Sequence, residues 1–393
     1  MIERKGKINT KVITSIVFLI ILFILFIGNL SLIYGLFKQE LKAVVVPDNR
    51  SEFMMPKEIE AAYNDNFYKK MLFIDINGLA HKTIGQKIVN GAIKDNNGQL
   101  NLEDNTLYKF NKREESEKSE KAIEILEFAR ENGADVIYVQ RPWKNSENNE
   151  VFPYGIELQY GQQFDFWCSR MMENDIPVLD LRKELDSDEL VFYKTDHHWT
   201  TKSSLIAAGK IVSMLNSIYD LQLNETLVDE KNYNSKIYNN CFLGSEGIKT
   251  GQYYVGKDDF EVLWPDFETD LSYDRYDNEG LVEVKKGNFS DAFISMDLIE
   301  DKEYNNKYSA YMFDGFVENR IDNKMSDNDL KALLISDSFS RPMAPFFSLC
   351  FKETRYLDPQ EGRYTSSYVK YIENYKPDIV VLMFPGDGTF EET

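Results

Sequence analysis

"KALLISDSFS", Lys331–Ser340, is the stretch on which the reading of the fold turns. Lys331 to Ile335 form a short apolar run, the pattern of a strand buried on both faces. Ser336, Asp337 and Ser338 follow at once. Pro342 suits the first turn of a helix, while Pro345 leaves the helix start open. A strand running into a helix puts the side chains between them at the carboxyl end of a parallel sheet, where open α/β sheets build their sites. A serine at such an elbow lies beside backbone N–H groups able to stabilise an oxyanion. The plainer alternative is that Asp337 and Ser338 only cap the helix.

Working outward, the same rhythm recurs. "KREESEKSEK", Lys112–Lys121, reads as a solvated helix start. It leads into "AIEILEFARENG", where Ala122, Ile125, Leu126 and Ala129 share a face and Gly133 suits a C-terminal cap. "DVIYVQ", "IPVLDL" and "LVFYK" read as strands. "TTKSSLIAAGKIVSMLNSI" carries an apolar stripe from Leu205 to Leu215, with Thr200 or Thr201 as its cap. After Ser338, "TRYLD", "SSYVKYIENY" and "PDIVVLMF" give strand, helix, strand. The expectation is a three-layer α/β fold with a mainly parallel sheet. Residues from about 220 to 328 lose the rhythm and read as an irregular insertion.

From Val12 to Phe37 no residue is charged, and Arg4, Lys5, Lys7 and Lys11 precede this run. It is long enough for a helix crossing a ~30 Å hydrocarbon core. The basic flank places the N-terminus in the cytoplasm and exports the rest. A cleaved signal peptide is the rival reading, but Asn29, Ser31 and Gly35 offer poor cleavage sites. The expected organisation is a cytoplasmic tail at 1–11, a transmembrane anchor at 12–37 and an extracellular domain at 39–393. The formal charge of −20, from 65 acidic and 45 basic residues, repels nucleic acid and excludes it as a partner. Cys168, Cys241 and Cys350 are scattered. They make neither a disulfide framework nor a zinc pair, and export without disulfides fits a bacterial surface.

The chain has three histidines, and two are adjacent in "YKTDHHWTTK", Tyr193–Lys202. The cluster falls between "LVFYK" and the helix beginning near Thr200, so it too is expected at the carboxyl end of the sheet. The spacing of Asp196 and His198 lets a carboxylate reach an imidazole Nδ1–H and fix its tautomer. A serine needs such a base, since a free hydroxyl is a poor nucleophile near neutral pH. Asp196, His198 and Ser338 together supply acid, base and nucleophile. A structural loop is the plainer alternative. The letters D-H-H also suit a metal, but His81 is the only other histidine, and too few ligands remain. No metal and no cofactor are expected.

"TDHHWT" and "LLISDSFS", taken together, resemble the DHHW group of SGNH-type hydrolases, relatives of the periplasmic alginate O-acetylation proteins. "YNDNFYKK", "VNGAIKDNNGQL", "NNCFLGSEGIKTGQYY" and "NYKPDIVVLM" agree with that family's order, so the likeness spans roughly residues 60 to 390. It implies Ser338 as nucleophile, His198 as base and Asp196 as its partner, with His197 at a variable position. Ser336 departs from the family's glycine, and "RPWK", Arg141–Lys144, departs from its proline-rich segment. Candidates for substrate or oxyanion contacts are Asp337, Arg341, His197, Trp199 and the Gly244–Gly247 loop with Ser245. Arg341 is equally open to a role as an ordinary surface ion-pairing residue. The implied activity is O-acyl transfer, acetyl foremost, onto a cell-surface or secreted polysaccharide. A membrane-bound O-acyltransferase would supply the acyl group. An extracellular esterase with the same triad, or a non-catalytic polysaccharide-binding or assembly factor, remains open.

Overall fold

The architecture is that of a computed structural model, which describes residues 10–45, 56–102, 109–145, 149–153, 156, 159–302, 306–314, 317–360 and 363–384. The chain divides into two compact units, Met1–Asn77 and Gly78–Thr393.

The first unit holds a helix over Thr10–Val45. Within it Val12–Lys38, 27 residues of mean hydropathy 3.0, is long and apolar enough to cross a membrane. Phe18, Leu19 and Phe23 are exposed along it, as a helix facing lipid requires. Of the basic flank, Arg4, Lys5 and Lys7 lie outside the described residues. A second helix spans Pro56–Asp65, and a third, Lys70–Thr83, runs across the division.

The second unit opens with three short antiparallel strands, β1 (Ile88–Val89), β2 (Ala92–Lys94) and β3 (Leu100–Leu102). The main sheet is built from β4 (Asp135–Gln140), β5 (Val178–Asp180), β8 (Leu271–Asp277), β9 (Gly280–Gly287), β10 (Glu318–Asn323), β11 (Lys331–Ser336), β12 (Glu353–Leu357) and β13 (Ile379–Met383). Their order is β5-β4-β13-β11-β12-β10-β8-β9. The pairs from β5 to β12 are parallel, and those from β12 through β9 are antiparallel.

Strand alternation divides the core into two layers. Ile137, Val139, Leu334 and Val381 face the helix Thr201–Tyr219 and the helix Ser340–Ser348. Val136, Tyr138, Leu333 and Val380 face helices Lys112–Glu131, Tyr160–Glu173 and Tyr368–Tyr375. This is the expected three-layer α/β fold. The two helix-cap signals hold. Thr200, not Thr201, caps its helix by accepting from the Ser203 N–H, and Gly133 turns the chain with φ +92°.

Two expectations need correction. The region from about 220 to 328 is not irregular. It contains a two-stranded arm, β6 (Tyr233–Phe242) with β7 (Asp258–Pro265), and it supplies β8, β9 and β10 to the main sheet. The arm's first strand is largely exposed and polar, so it carries no apolar face to read. "LVFYK" is not a strand either. Phe192 and Trp199 form an isolated antiparallel bridge, and the Tyr193 N–H donates to the His198 carbonyl at 3.1 Å. The apolar residues there close a buried loop on itself.

Candidate active site

β11 ends at Ser336 and the following helix begins at Ser340, so Asp337, Ser338 and Phe339 make the elbow. Asp337 shapes it. Its carbonyl accepts the Ser340 N–H at 3.0 Å and the Tyr356 hydroxyl at 2.7 Å, and its Oδ1 accepts the Phe339 N–H at 3.0 Å. Its Oδ2 receives Nε and Nη2 of Arg141 at 2.9 and 2.6 Å. That guanidinium lies 4.0 Å above the Phe339 ring and 4.6 Å from the Trp143 ring. Ser336, where the family carries glycine, is accommodated. Its hydroxyl donates to the Met383 carbonyl at 2.9 Å and accepts from Ser340 at 2.7 Å. Ser336→Gly should therefore keep turnover and lower stability by about 1 kcal/mol, read from a denaturant midpoint. A large loss of turnover would instead make the hydroxyl part of the reaction.

The Tyr193–Trp199 loop brings the other residues to Ser338. Asp196 Oδ1 lies 2.5 Å from His198 Nδ1, and His198 Nε2 lies 2.8 Å from Ser338 Oγ. With the Nδ1 proton facing the carboxylate, Nε2 is left as the acceptor for the serine hydroxyl. The His198 ring stacks on Tyr308, centroids 4.0 Å apart. Asp196, His198 and Ser338 are all buried.

The carboxylate is held from behind. Asp196 Oδ2 accepts both the N–H and the hydroxyl of Ser245 at 2.8 Å, and Oδ1 also accepts the His198 N–H at 3.0 Å. Burial works against its charge, but the two histidines and these donors keep its pKa well below the usual carboxylate range. Gly244 must lack a side chain, because a Cβ there would lie 2.3 Å from that of Asp196. The Gly244 N–H donates to Thr195 Oγ1. Gly244 and Ser245 were read as oxyanion or substrate candidates. Their amides are already committed, so this loop braces Asp196 instead.

Trp199 also needs correction as a substrate candidate. It is fully buried and its indole N–H donates to the Phe339 carbonyl at 3.0 Å, tying the two motifs together. Arg341 is no surface residue; it is 8% exposed in the helix after the elbow. Asp337 braces the turn. His197 is partly exposed, with Nδ1 3.1 Å from Glu246 Oε1.

Two supports escaped the sequence. Lys144, buried, donates from Nζ to the carbonyls of Leu100, Tyr193, Lys194 and Asp196 at 2.6, 2.7, 3.2 and 3.0 Å. Burial lowers its pKa to about 8 against the pull of Glu246 and Asp196. Asp258 takes the opposite pole. Its Oδ1 accepts the Lys194 N–H at 2.8 Å, and its Oδ2 accepts the Thr195 N–H at 2.8 Å and the Thr195 hydroxyl at 2.5 Å. Beyond its few backbone bonds, the loop thus has carbonyls answered by a buried cation and amides by a carboxylate. "RPWK" signalled only a departure from the family pattern, and Asp258 sits in the region read as irregular.

Asp196, His197 and His198 offer ligand atoms within 4.8 Å of one another. Both carboxylate oxygens of Asp196 and both ring nitrogens of His198 already have protein partners, so a metal there would have to displace at least one of them from each residue.

The mainly parallel α/β sheet, with a serine at a strand–helix elbow and a buried Asp-x-His opposite it, is an SGNH-like fold. Residues 102–236 match the family model for the SGNH hydrolase-like domain of the acetyltransferase AlgX. PatB1 of Bacillus cereus superposes with a TM-score of 0.62 at 18% identity, covering 77% of this chain and 99% of that one. The PatB1 structure with a sulfonyl adduct gives a TM-score of 0.59 at 18% identity, covering 77% and 95%. A DHHW family protein from Eubacterium siraeum gives 0.51 at 15% identity, covering 75% and 93%. These likenesses extend the fold to about three quarters of the chain. No curated protein matches the sequence significantly.

Proposed function

We propose that this protein is a serine-dependent O-acyltransferase that moves an acetyl group onto a cell-surface or secreted polysaccharide. The observation that carries the reading is the continuous chain Asp196–His198–Ser338, at 2.5 and 2.8 Å, at a strand–helix elbow of an SGNH-like domain. In this reading Ser338 Oγ attacks the acyl carbonyl while its proton passes to His198 Nε2. The tetrahedral oxyanion faces the Ser338 amide, and collapse expels the donor's leaving group, which takes the proton from His198. The serine ester then waits for a sugar hydroxyl. His198 removes that hydroxyl's proton, the sugar oxygen attacks, and Ser338 leaves as the alkoxide that regains the proton. Asp196 holds the ring and stabilises the imidazolium throughout.

The apolar helix Val12–Lys38 supports a single-pass anchor. The basic residues before it support a cytoplasmic N-terminus, with the catalytic domain outside a bacterial membrane. One helix offers no route for an acyl group across a bilayer, so the donor is assigned to a membrane-bound O-acyltransferase. The test is mass spectrometry of the full chain in detergent after p-nitrophenyl acetate, with a phenylmethylsulfonyl fluoride arm suggested by the PatB1 adduct. Acetyl or sulfonyl mass on the peptide carrying Ser338 supports the reading. Modification elsewhere, or none under either reagent, overturns it.

A further inference from the structure

His197 stands between Asp196 and His198, and the triad gives it no task. It nevertheless has a carboxylate of its own. Its Nδ1 lies 3.1 Å from Glu246 Oε1 and 3.3 Å from Ser245 Oγ. Glu246 is fully buried, and its Oε2 has no hydrogen-bond partner. A carboxylate placed this way is costly unless a cation answers it. Lys144 lies beneath the same loop, but its ammonium is directed at backbone carbonyls. The His197 ring stacks on Trp143 at 5.7 Å and 20°, and its centroid is 4.0 Å from that of His198. His197 is thus held against Trp143 and His198 against Tyr308, at 4.0 Å.

We propose that His197 is a positioning residue of the site: Glu246 holds it as an imidazolium, and this charge, one ring away, keeps His198 neutral and able to take the Ser338 proton. The inference rests on His198 being the base of Ser338.

The surrounding charges agree. Asp196 and Glu246 face His197 as anions and Arg141 as a cation, while Asp196, His197 and Arg341 face His198. Trp143 and Phe339, the other rings against His197, carry no charge. Burial opposes the charge on His197, yet Asp196 and Glu246 outweigh it and raise its pKa. Burial and then the His197 charge lower the pKa of His198 against the pull of Asp196. Two titratable neighbours whose environments push them apart are the mark of divided acid and base roles.

Only three histidines exist in the chain, so ring ¹³Cε1 labelling of the full protein in detergent gives signals that single variants assign. In the wild type one active-site histidine should stay cationic through neutral pH while the other stays neutral well into acid. Glu246→Gln, which keeps the shape, should lower the first and raise the second by about one pH unit or more. His197→Gln should raise the His198 titration likewise. The sign follows from charge: losing a neighbouring cation makes His198 easier to protonate. The acid limb of Ser338 acetylation should therefore move to higher pH, which a merely structural role for His197 would not produce. The proposal is overturned if His197 titrates near the ordinary 6.5 in the wild type. It is equally overturned if neither variant moves His198. If the titrations separate as described but Ser338 is never acylated, the charge pairing stands and the functional reading falls.

Discussion

Ser338→Ala, His198→Ala and Asp196→Asn should each cut ester turnover by roughly 10⁴-fold while the chain stays folded. The three act as one unit, so the losses should not add in double variants. Ser338 alone is a hydroxyl of high pKa, reactive only while His198 Nε2 accepts from it. His198 presents that nitrogen only while Nδ1 gives its proton to Asp196. Asn at 196 breaks the set in a particular way. Both oxygens of Asp196 accept N–H donors, from His198 on Oδ1 and from Ser245 on Oδ2. An amide must turn its NH₂ toward one of them. Facing His198 it reverses the tautomer, and facing Ser245 it sets two donors against each other. kcat/KM on p-nitrophenyl acetate, beside a melting curve, measures the result. Full turnover in Ser338→Ala with an unchanged melting curve would end the serine mechanism.

The second large effect is expected from a residue that touches neither nucleophile nor base. Lys144→Met should lower stability by roughly 3 kcal/mol or more, because buried carbonyls lose their donor at about 1–3 kcal/mol each. The buried ammonium carries its own desolvation cost, so relief of that cost offsets part of the loss. For a protein of this size the melting point should fall by about 4 °C or more. Turnover should fall by about 10²-fold in the protein that remains folded, because the Asp196 carbonyl is one of the released groups and a displacement near 1 Å has that effect. The Met side chain is close to the lysine stem in volume, so the change tests the charge rather than the packing. Unaltered melting and turnover in Lys144→Met would show that the loop is held without it.

The difference between these two predictions explains what the sequence could disclose. Asp196 and His198 are two residues apart, and Ser338 follows an apolar run, so local pattern was enough to pick them out. The helix caps at Thr200 and Gly133 were legible for the same reason. Arg141 was not, since its partner Asp337 is 196 positions away and nothing near either residue announces the pair. Lys144 was hidden more completely, because its partners are backbone carbonyls, which every residue has. The strands β8 to β10 escaped because polar and charged residues such as Asp274, Arg275, Arg320 and Asp322 interrupt their apolar positions. "LVFYK" erred in the other direction. It has a strand's composition, but its bulk serves to bury a loop that charged side chains then satisfy.

The sheet order has a consequence for when the protein can work. β13, Ile379–Met383, lies between β4 and β11, so the last strand among the described residues sits inside the sheet. Ser338 meets its base across 140 positions of chain. A chain made from its N-terminus therefore presents Asp196 and His198 long before Ser338, and Ser338 before the strand beside it. The Asp196–His198–Ser338 arrangement cannot be seated on a chain that stops before β13. A chain cut before residue 379 should therefore be lost to proteolysis rather than persist with the site half-built.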